Sequence, residues 1–289
     1  MTAPPPLHID HFRTLAPHYD VVLCDVWGVV HNGVAAFTEA CDALARFRAA
    51  GGTVVLITNA PRQNDMVIHL MERLSVPPGA YDAVVSSGDV TRAVIERRRG
   101  ERVFHIGPQR DYSIFTGLDI AFAPVESADF AVCSGLFDDE VETPEDYRPL
   151  AESMRQRQLF MVCANPDLVV ERGTRRLYCA GAIADLYQSL GGEVLYAGKP
   201  HRPIYEAALA RAAALRNAAP PLARVLAIGD SVRTDLSGAA AFGVDCLFVA
   251  AGIHAEEVGG RDNLDTEALA PIFAAAGVMP KAVMRRLVW

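Results

Sequence analysis

Short, unbroken apolar runs alternate along the chain with longer stretches whose apolar positions recur at helical spacing. "YDVVLCDV" (19–26) leads to "TEACDALARFRAAGG" (38–52), which reads as a helix with Thr38 as its N-cap and Gly51 or Gly52 as its stop. "TVVLITNA" (53–60) follows, then a helix from Arg62 to Leu74. The runs are continuous rather than alternating, as expected of parallel strands covered on both faces, so the opening is a βαβ unit of a doubly wound sheet. The same grammar returns in "EVLYAG" (193–198), a helix across 199–217, "RVLAIGDS" (224–231), a helix from Thr234 to Phe242, and "VDCLFVA" (244–250).

The middle of the chain has strands of its own, "RVFHIG", "ADFAVCSG" and "QLFMVCAN". The residues with obvious chemistry lie outside it, at 25, 58–59, 199 and 230–235. The expected architecture is therefore an α/β fold: a doubly wound parallel-sheet core formed by 1–82 and 186–289, with an α/β domain inserted at 83–185.

Composition narrows the function. At 289 residues, 51% hydrophobic and with mean hydropathy +0.16, the chain has material for a large core. A net charge of −8 argues against a nucleic-acid partner, and the basic stretch "ERRRGER" (96–102) reads as a solvated helix end. Six scattered cysteines form no CxxC pair and read as buried thiols of a reducing compartment. The N-terminal "MTAPPPLHID" has no basic region followed by an apolar stretch, and no apolar run approaches the roughly 18 residues of a membrane span. The expectation is a cytoplasmic enzyme with a small-molecule substrate. The apolar, basic "GVMPKAVMRRLVW" (277–289) is expected to dock on its own core, with a homodimer contact as the alternative.

Several strand-like runs end in polar residues: Asp25, Thr58 with Asn59, Lys199, and Asp230. In open parallel sheets, ligands bind beyond the carboxyl ends of the strands. Two acids, a lysine and a hydroxyl there describe a magnesium-phosphate site. Asp25 and Asp230 with a backbone carbonyl near Trp27 suit Mg²⁺, Lys199 balances phosphate oxygens, and Thr58 donates its hydroxyl. Asp25 is then placed to attack phosphorus.

The set "VVLCDVWG", "VVLITNA", "AGKP" and "AIGDSVRTDLSGA" resembles the haloacid dehalogenase superfamily, over roughly residues 19–252. "TNAPR", the long insert and "CANPDLVV" look like its type IIA capped subgroup, which includes sugar-phosphate and nucleotide phosphatases. The resemblance implies Asp25 as nucleophile and Mg²⁺ ligand, Trp27 as a ligand through its main-chain carbonyl, and Thr58 and Asn59 as phosphate binders. It further implies Lys199 as the phosphate-orienting lysine, Asp230 as a metal acid and Asp235 as the second acid of the last motif. The insert then acts as a cap over the site, with Asn165, Asp167 and Arg172 to Arg176 as candidates for the leaving-group pocket.

One position departs from the family pattern. Where family phosphatases carry an acid two residues after the nucleophile, this chain has Trp27, which can neither protonate a leaving oxygen nor activate water. Such a group is worth roughly 10²–10⁴-fold. The expected activity is phosphoryl transfer from substrates with good leaving groups; His31 is a candidate replacement acid, and otherwise lines the cap interface or faces solvent. Trp27 itself reads as packing or as a wall against substrate. The alternatives are a catalytically weak or silent phosphate-binding protein, or cleavage of a carbon–phosphorus or carbon–halogen bond. A nicotinamide dehydrogenase is disfavoured because no GxGxxG is present.

Overall fold

The structure is a computed structural model, and it describes residues 6–172, 175–252 and 266–289. Its strands in chain order are β1 (Leu7–His8), β2 (Val21–Asp25), β3 (Thr53–Thr58), β4 (Ala83–Ser86), β5 (Arg102–Ile106), β6 (Ala121–Phe122), β7 (Phe130–Cys133), β8 (Phe160–Cys163), β9 (Val169–Arg172), β10 (Arg175–Tyr178), β11 (Val194–Tyr196), β12 (Val225–Gly229), β13 (Asp245–Val249) and β14 (Ala282–Met284). The α-helices are α1 (Thr38–Ala49), α2 (Asn64–Arg73), α3 (Ser87–Arg97), α4 (Arg148–Gln156), α5 (Ala180–Ser189), α6 (Arg202–Arg216), α7 (Ser237–Phe242) and α8 (Ala270–Ala276). The residues group into two compact units: Met1–Thr58, Val67–Val85 and Tyr205–Trp289 form one, Asn59–Met66 and Ser86–Ile204 the other.

The first unit is built on a seven-stranded sheet in the order β1-β14-β13-β12-β2-β3-β4. The pairings from β1 through β14, β13, β12 and β2 to β3 are all parallel. Every residue of β2, β3 and β12 is buried, which explains why their sequences run apolar without alternation. Phe12, Leu23, Leu44, Leu56 and Phe248 are among the fully buried side chains of its core. The C-terminal segment docks on this same unit: β14 enters the sheet, the Val288 carbonyl accepts the Phe12 N–H at 2.7 Å, and Trp289 meets the Phe12 ring edge-on at 6.0 Å.

The second unit has its own five-stranded sheet, β11-β8-β7-β5-β6, and an antiparallel hairpin of β9 and β10. Apolar clusters line both faces. Tyr147, Met154, Ile183 and Tyr187 from the α4 and α5 side pack on one face, and Ile95, Ile114 and Phe115 on the other. It is a doubly wound α/β unit in its own right.

Some sequence expectations are revised here. Phe37, in extended backbone, takes the N-cap place of α1 and no side chain caps it, so Thr38 is the first helical residue; its N–H end is ordered by backbone bonds, including Cys41 N–H to the Phe37 carbonyl at 3.0 Å. The helix does stop at Gly51, whose φ of +92° suits glycine. The stretch from Thr234 begins as a wide π-type turn, Val232–Leu236, before α7. "EVLYAG" forms β11, which pairs with β8 rather than with strands of the seven-stranded sheet, because an apolar run announces a buried parallel strand without saying which sheet it joins. Among the described residues, no helix is long and apolar enough to cross a membrane.

Candidate active site

Strands β2 and β12 are neighbours in parallel register, Ile228 opposite Cys24, so the residues that follow emerge side by side. The chain leaves β2 toward β3 on one side and leaves β12 toward β13 on the other. That divergence opens a crevice at the carboxyl ends, the place where open α/β sheets bind ligands. Asp25 is the last residue of β2, and Asp230 is the first after β12.

Asp25, Asp230 and Asp235 meet there, with one carboxylate oxygen from each lying within 4.8 Å of the others. All three are buried. Asp235 comes from the π-type turn, in which Ser231 caps the Thr234 N–H at 3.2 Å and the Ser231 N–H is accepted by the Asp235 carboxylate at 3.1 Å. The same turn makes both i+4 and i+5 backbone bonds to the Ser231 carbonyl, at 3.0 Å each, a geometry often found at functional sites.

Glycines let the backbone close around these acids. Gly28 has φ +88°, and a Cβ on it would lie 2.1 Å from Asp230 Oδ2. Only glycine satisfies both the left-handed conformation and that approach. A Cβ on Gly229 would lie 2.2 Å from the Asp235 side chain.

Three ionised carboxylates this close repel one another by about 3 kcal/mol per pair at an effective dielectric of about 20. A cation among them removes that cost. The donor set is all oxygen, without thiolate or imidazole, and so fits a hard divalent ion such as Mg²⁺ or Ca²⁺.

The loop after Asp25 is organised around Trp27 and His31. Trp27 is 45% exposed, and its ring meets the His31 imidazole edge-on at 5.4 Å. The Gly28 N–H donates to the His31 carbonyl at 2.8 Å, closing the loop. His31 is buried, not solvent-facing as one sequence alternative had it. Its Nδ1 accepts the Gly33 N–H at 3.0 Å, which leaves any proton of the neutral ring on Nε2. Burial pushes its pKa below the usual range, so the imidazole is neutral near pH 7 and poorly suited to act as an acid. Thr58 closes β3, largely buried.

In the second unit, Asn59 and Lys199 hold each other. The Lys199 N–H donates to Asn59 Oδ1 at 2.7 Å, and Asn59 Nδ2 donates to the Lys199 carbonyl at 2.9 Å and to Asp167 Oδ1 at 2.8 Å. The Asn59 amide is thus spent on fixing the backbone around buried Lys199. Asn165 accepts the Asp167 N–H at 3.1 Å, so "NPD" acts as a brace for this arrangement, a role its sequence did not announce. A Cβ on Gly198 would lie 2.4 Å from Asn59 Oδ1, which accounts for the glycine before the lysine. Of the candidate arginines, Arg176 is exposed on β10, while the side chains of Arg172 and Arg175, and residues 173–174, lie outside the described residues.

A family model described as haloacid dehalogenase-like hydrolase matches residues 22–121, and a HAD-hydrolase-like model matches 196–276. A hydrolase of the haloacid dehalogenase-like family from Brucella suis 1330 superposes with a TM-score of 0.83 at 47% identity, covering 97% of this chain and 100% of that one. The chain belongs to the haloacid dehalogenase-like hydrolases. Curated relatives of this hydrolase include the 5'-nucleotidase YutF of Bacillus subtilis (strain 168), 23% identical over 83% of this chain and 90% of the relative. A second, the glycerol-3-phosphate phosphatase of Gallus gallus, is 27% identical over 89% of this chain and 88% of its own length.

Proposed function

We propose that this hydrolase is a Mg²⁺-dependent phosphatase acting on a small phosphorylated metabolite, sugar phosphate or nucleotide-like, through an aspartyl phosphate on Asp25. The observation that carries the reading is the buried Asp25–Asp230–Asp235 cluster at the carboxyl-end crevice of the seven-stranded sheet. The two curated relatives, a 5'-nucleotidase and a glycerol-3-phosphate phosphatase, favour the same substrate class.

A carboxylate oxygen of Asp25 attacks phosphorus, and the bond to the leaving oxygen breaks with its electron pair staying on that oxygen. Water then attacks the aspartyl phosphate, freeing inorganic phosphate and restoring the carboxylate. Asp25, Asp230, Asp235 and the main-chain carbonyl of Trp27 would hold the ion, which supplies positive charge to the carboxylates and the phosphate oxygens. Lys199 balances the non-transferring oxygens, with Thr58 donating its hydroxyl and Asn59 positioning Lys199. The insert expected at 83–185, bounded in the fold by Ser86–Ile204 of the second unit, serves as the substrate-selecting cap. Cytoplasmic residence fits the six cysteines, all buried thiols rather than disulfides.

The Trp27 indole N–H is far too weakly acidic to protonate a leaving oxygen, so donors with good leaving groups are favoured. The test is phosphate release with Mg²⁺ from p-nitrophenyl phosphate and acetyl phosphate, beside glycerol 3-phosphate, with Asp25→Asn as control. The expected result is faster release from the activated donors, lost in the variant. Release that survives Asp25→Asn would overturn the nucleophile assignment. No release from any donor, with phosphate still bound, would leave a phosphate-binding protein.

A further inference from the structure

The three clustered carboxylates are not held in the same way. Asp25 ends β2 and Asp230 follows β12 directly, so paired neighbouring strands fix both. Asp230 is further confined by backbone: a Cβ on Gly252 would lie 1.9 Å from its Oδ2. Asp235 belongs to no strand. It projects from the wide turn Val232–Leu236, and whether it faces the other two depends on the shape of that turn.

In an α-helical turn a carbonyl takes the N–H four residues on. Here the Ser231 carbonyl takes the N–H of both Asp235 and Leu236, at 3.0 Å each. The added width lets the Asp235 carboxylate reach back to the Ser231 N–H at 3.1 Å, beside Asp230. Wide turns of this kind are rare, because their hydrogen bonds are less well placed than those of an α-helix, so this one needs support from outside its own backbone.

Two hydroxyls supply it. Ser237 Oγ donates to the Val232 carbonyl at 2.7 Å, a bond made locally across the turn. The Tyr205 hydroxyl donates to the Asp235 carbonyl at 3.3 Å and comes from a different helix, α6. Tyr205 is fully buried, and its ring stacks on Phe242 of α7 at 5.2 Å. The hydroxyl is therefore aimed from a fixed platform at the backbone of the one acid that no strand holds. Packing alone would be served by phenylalanine; a buried hydroxyl is tolerated where it is hydrogen-bonded.

We propose that Tyr205 is a positioning residue for the metal: by holding the Asp235 carbonyl it keeps the wide turn in the shape that directs the Asp235 carboxylate toward Asp25 and Asp230. The proposal rests on the reading of that cluster as a divalent-metal site.

The test is Tyr205→Phe in the full chain, which keeps the ring and removes the bond. Tyr187→Phe is the control, since the Tyr187 hydroxyl also donates to a buried carbonyl, that of Leu159 in the core of the second unit. Melting in EDTA, Mg²⁺ binding by calorimetry and amide exchange over Ser231–Ser237 would be measured for each. Both variants should melt lower in EDTA by similar amounts. Only Tyr205→Phe should weaken Mg²⁺ binding, by roughly tenfold or more, and only it should speed exchange in that segment without metal. Excess Mg²⁺ should restore its phosphate release. Native Mg²⁺ affinity in Tyr205→Phe, or equal weakening in both variants, would overturn the proposal while leaving the metal site standing. A native chain that binds no Mg²⁺ would overturn the metal reading itself, and the proposal with it.

Discussion

The Trp27 indole fills the space that a side chain on Gly33 would need: a Cβ there would sit 2.3 Å from the ring's Cη2. Gly33 also has φ +83°, a left-handed conformation that costs other residues roughly 1–2 kcal/mol. Gly33→Ala should therefore combine strain with displacement of the ring, for about 2–3 kcal/mol in all. In a Trp27→Ala background only the strain remains. Urea melts of the two singles and the double give the coupling, and an equal cost in both backgrounds would refute the contact.

The same ring marks where this chain departs from the family's acid. Trp27→Asp restores a carboxyl two residues after Asp25. On the proposed mechanism it should raise kcat/KM for glycerol 3-phosphate relative to p-nitrophenyl phosphate by roughly tenfold or more. The ratio of the two substrates is the readout, because loss of the indole from the loop will lower both rates together. A ratio that stays at the native value would mean that the leaving group already receives its proton elsewhere.

Much of this was legible in the chain. Continuous apolar runs mark the parallel strands, and the polar residues at their ends point to Asp25 and Asp230. What periodicity could not convey was sheet membership, as β11 shows, since burial on both faces looks alike in either sheet. Nor could it convey partners supplied by distant backbone. Asn59 reads as a phosphate binder in isolation, yet its amide is taken by Lys199 and Asp167. In the basic stretch at 96–102, read as a solvated helix end, Arg98 instead lies over the Phe130 and Phe160 rings at 5.2 and 4.5 Å. A charged residue that packs through its guanidinium has no signature in a charge pattern.

The carboxylate cluster makes stability and activity move in opposite directions. Without a divalent ion, Asp230→Asn removes one of three mutually repelling charges, so its melting temperature in EDTA should equal or exceed that of the native chain. Adding Mg²⁺ should raise the native melting temperature, by binding the folded state, and raise that of the variant much less. Phosphate release should be lost in the variant. A native chain whose melting temperature ignores millimolar Mg²⁺ and Ca²⁺ would speak against a metal site.

His105 gives stability a pH dependence of predictable sign. Its pKa is lowered to about 4 in the fold by burial, against about 6.5 in an unfolded chain. Between those values the unfolded state binds a proton that the folded state refuses, so stability falls as pH falls through this window. The slope approaches about 1.4 kcal/mol per pH unit, giving about 2 kcal/mol between pH 7.5 and 5. Above about pH 7.5 both states are neutral and the contribution is flat. The carboxylates add their own acid sensitivity, so the comparison must be with a variant. His105→Gln keeps a hydrogen-bonding side chain and removes the titration; it will be less stable at pH 7.5, but the native chain should lose about 2 kcal/mol more than the variant on going to pH 5. Urea midpoints for both chains at the two pH values measure this, and parallel losses would show that His105 takes up its proton in the folded state as readily as in water.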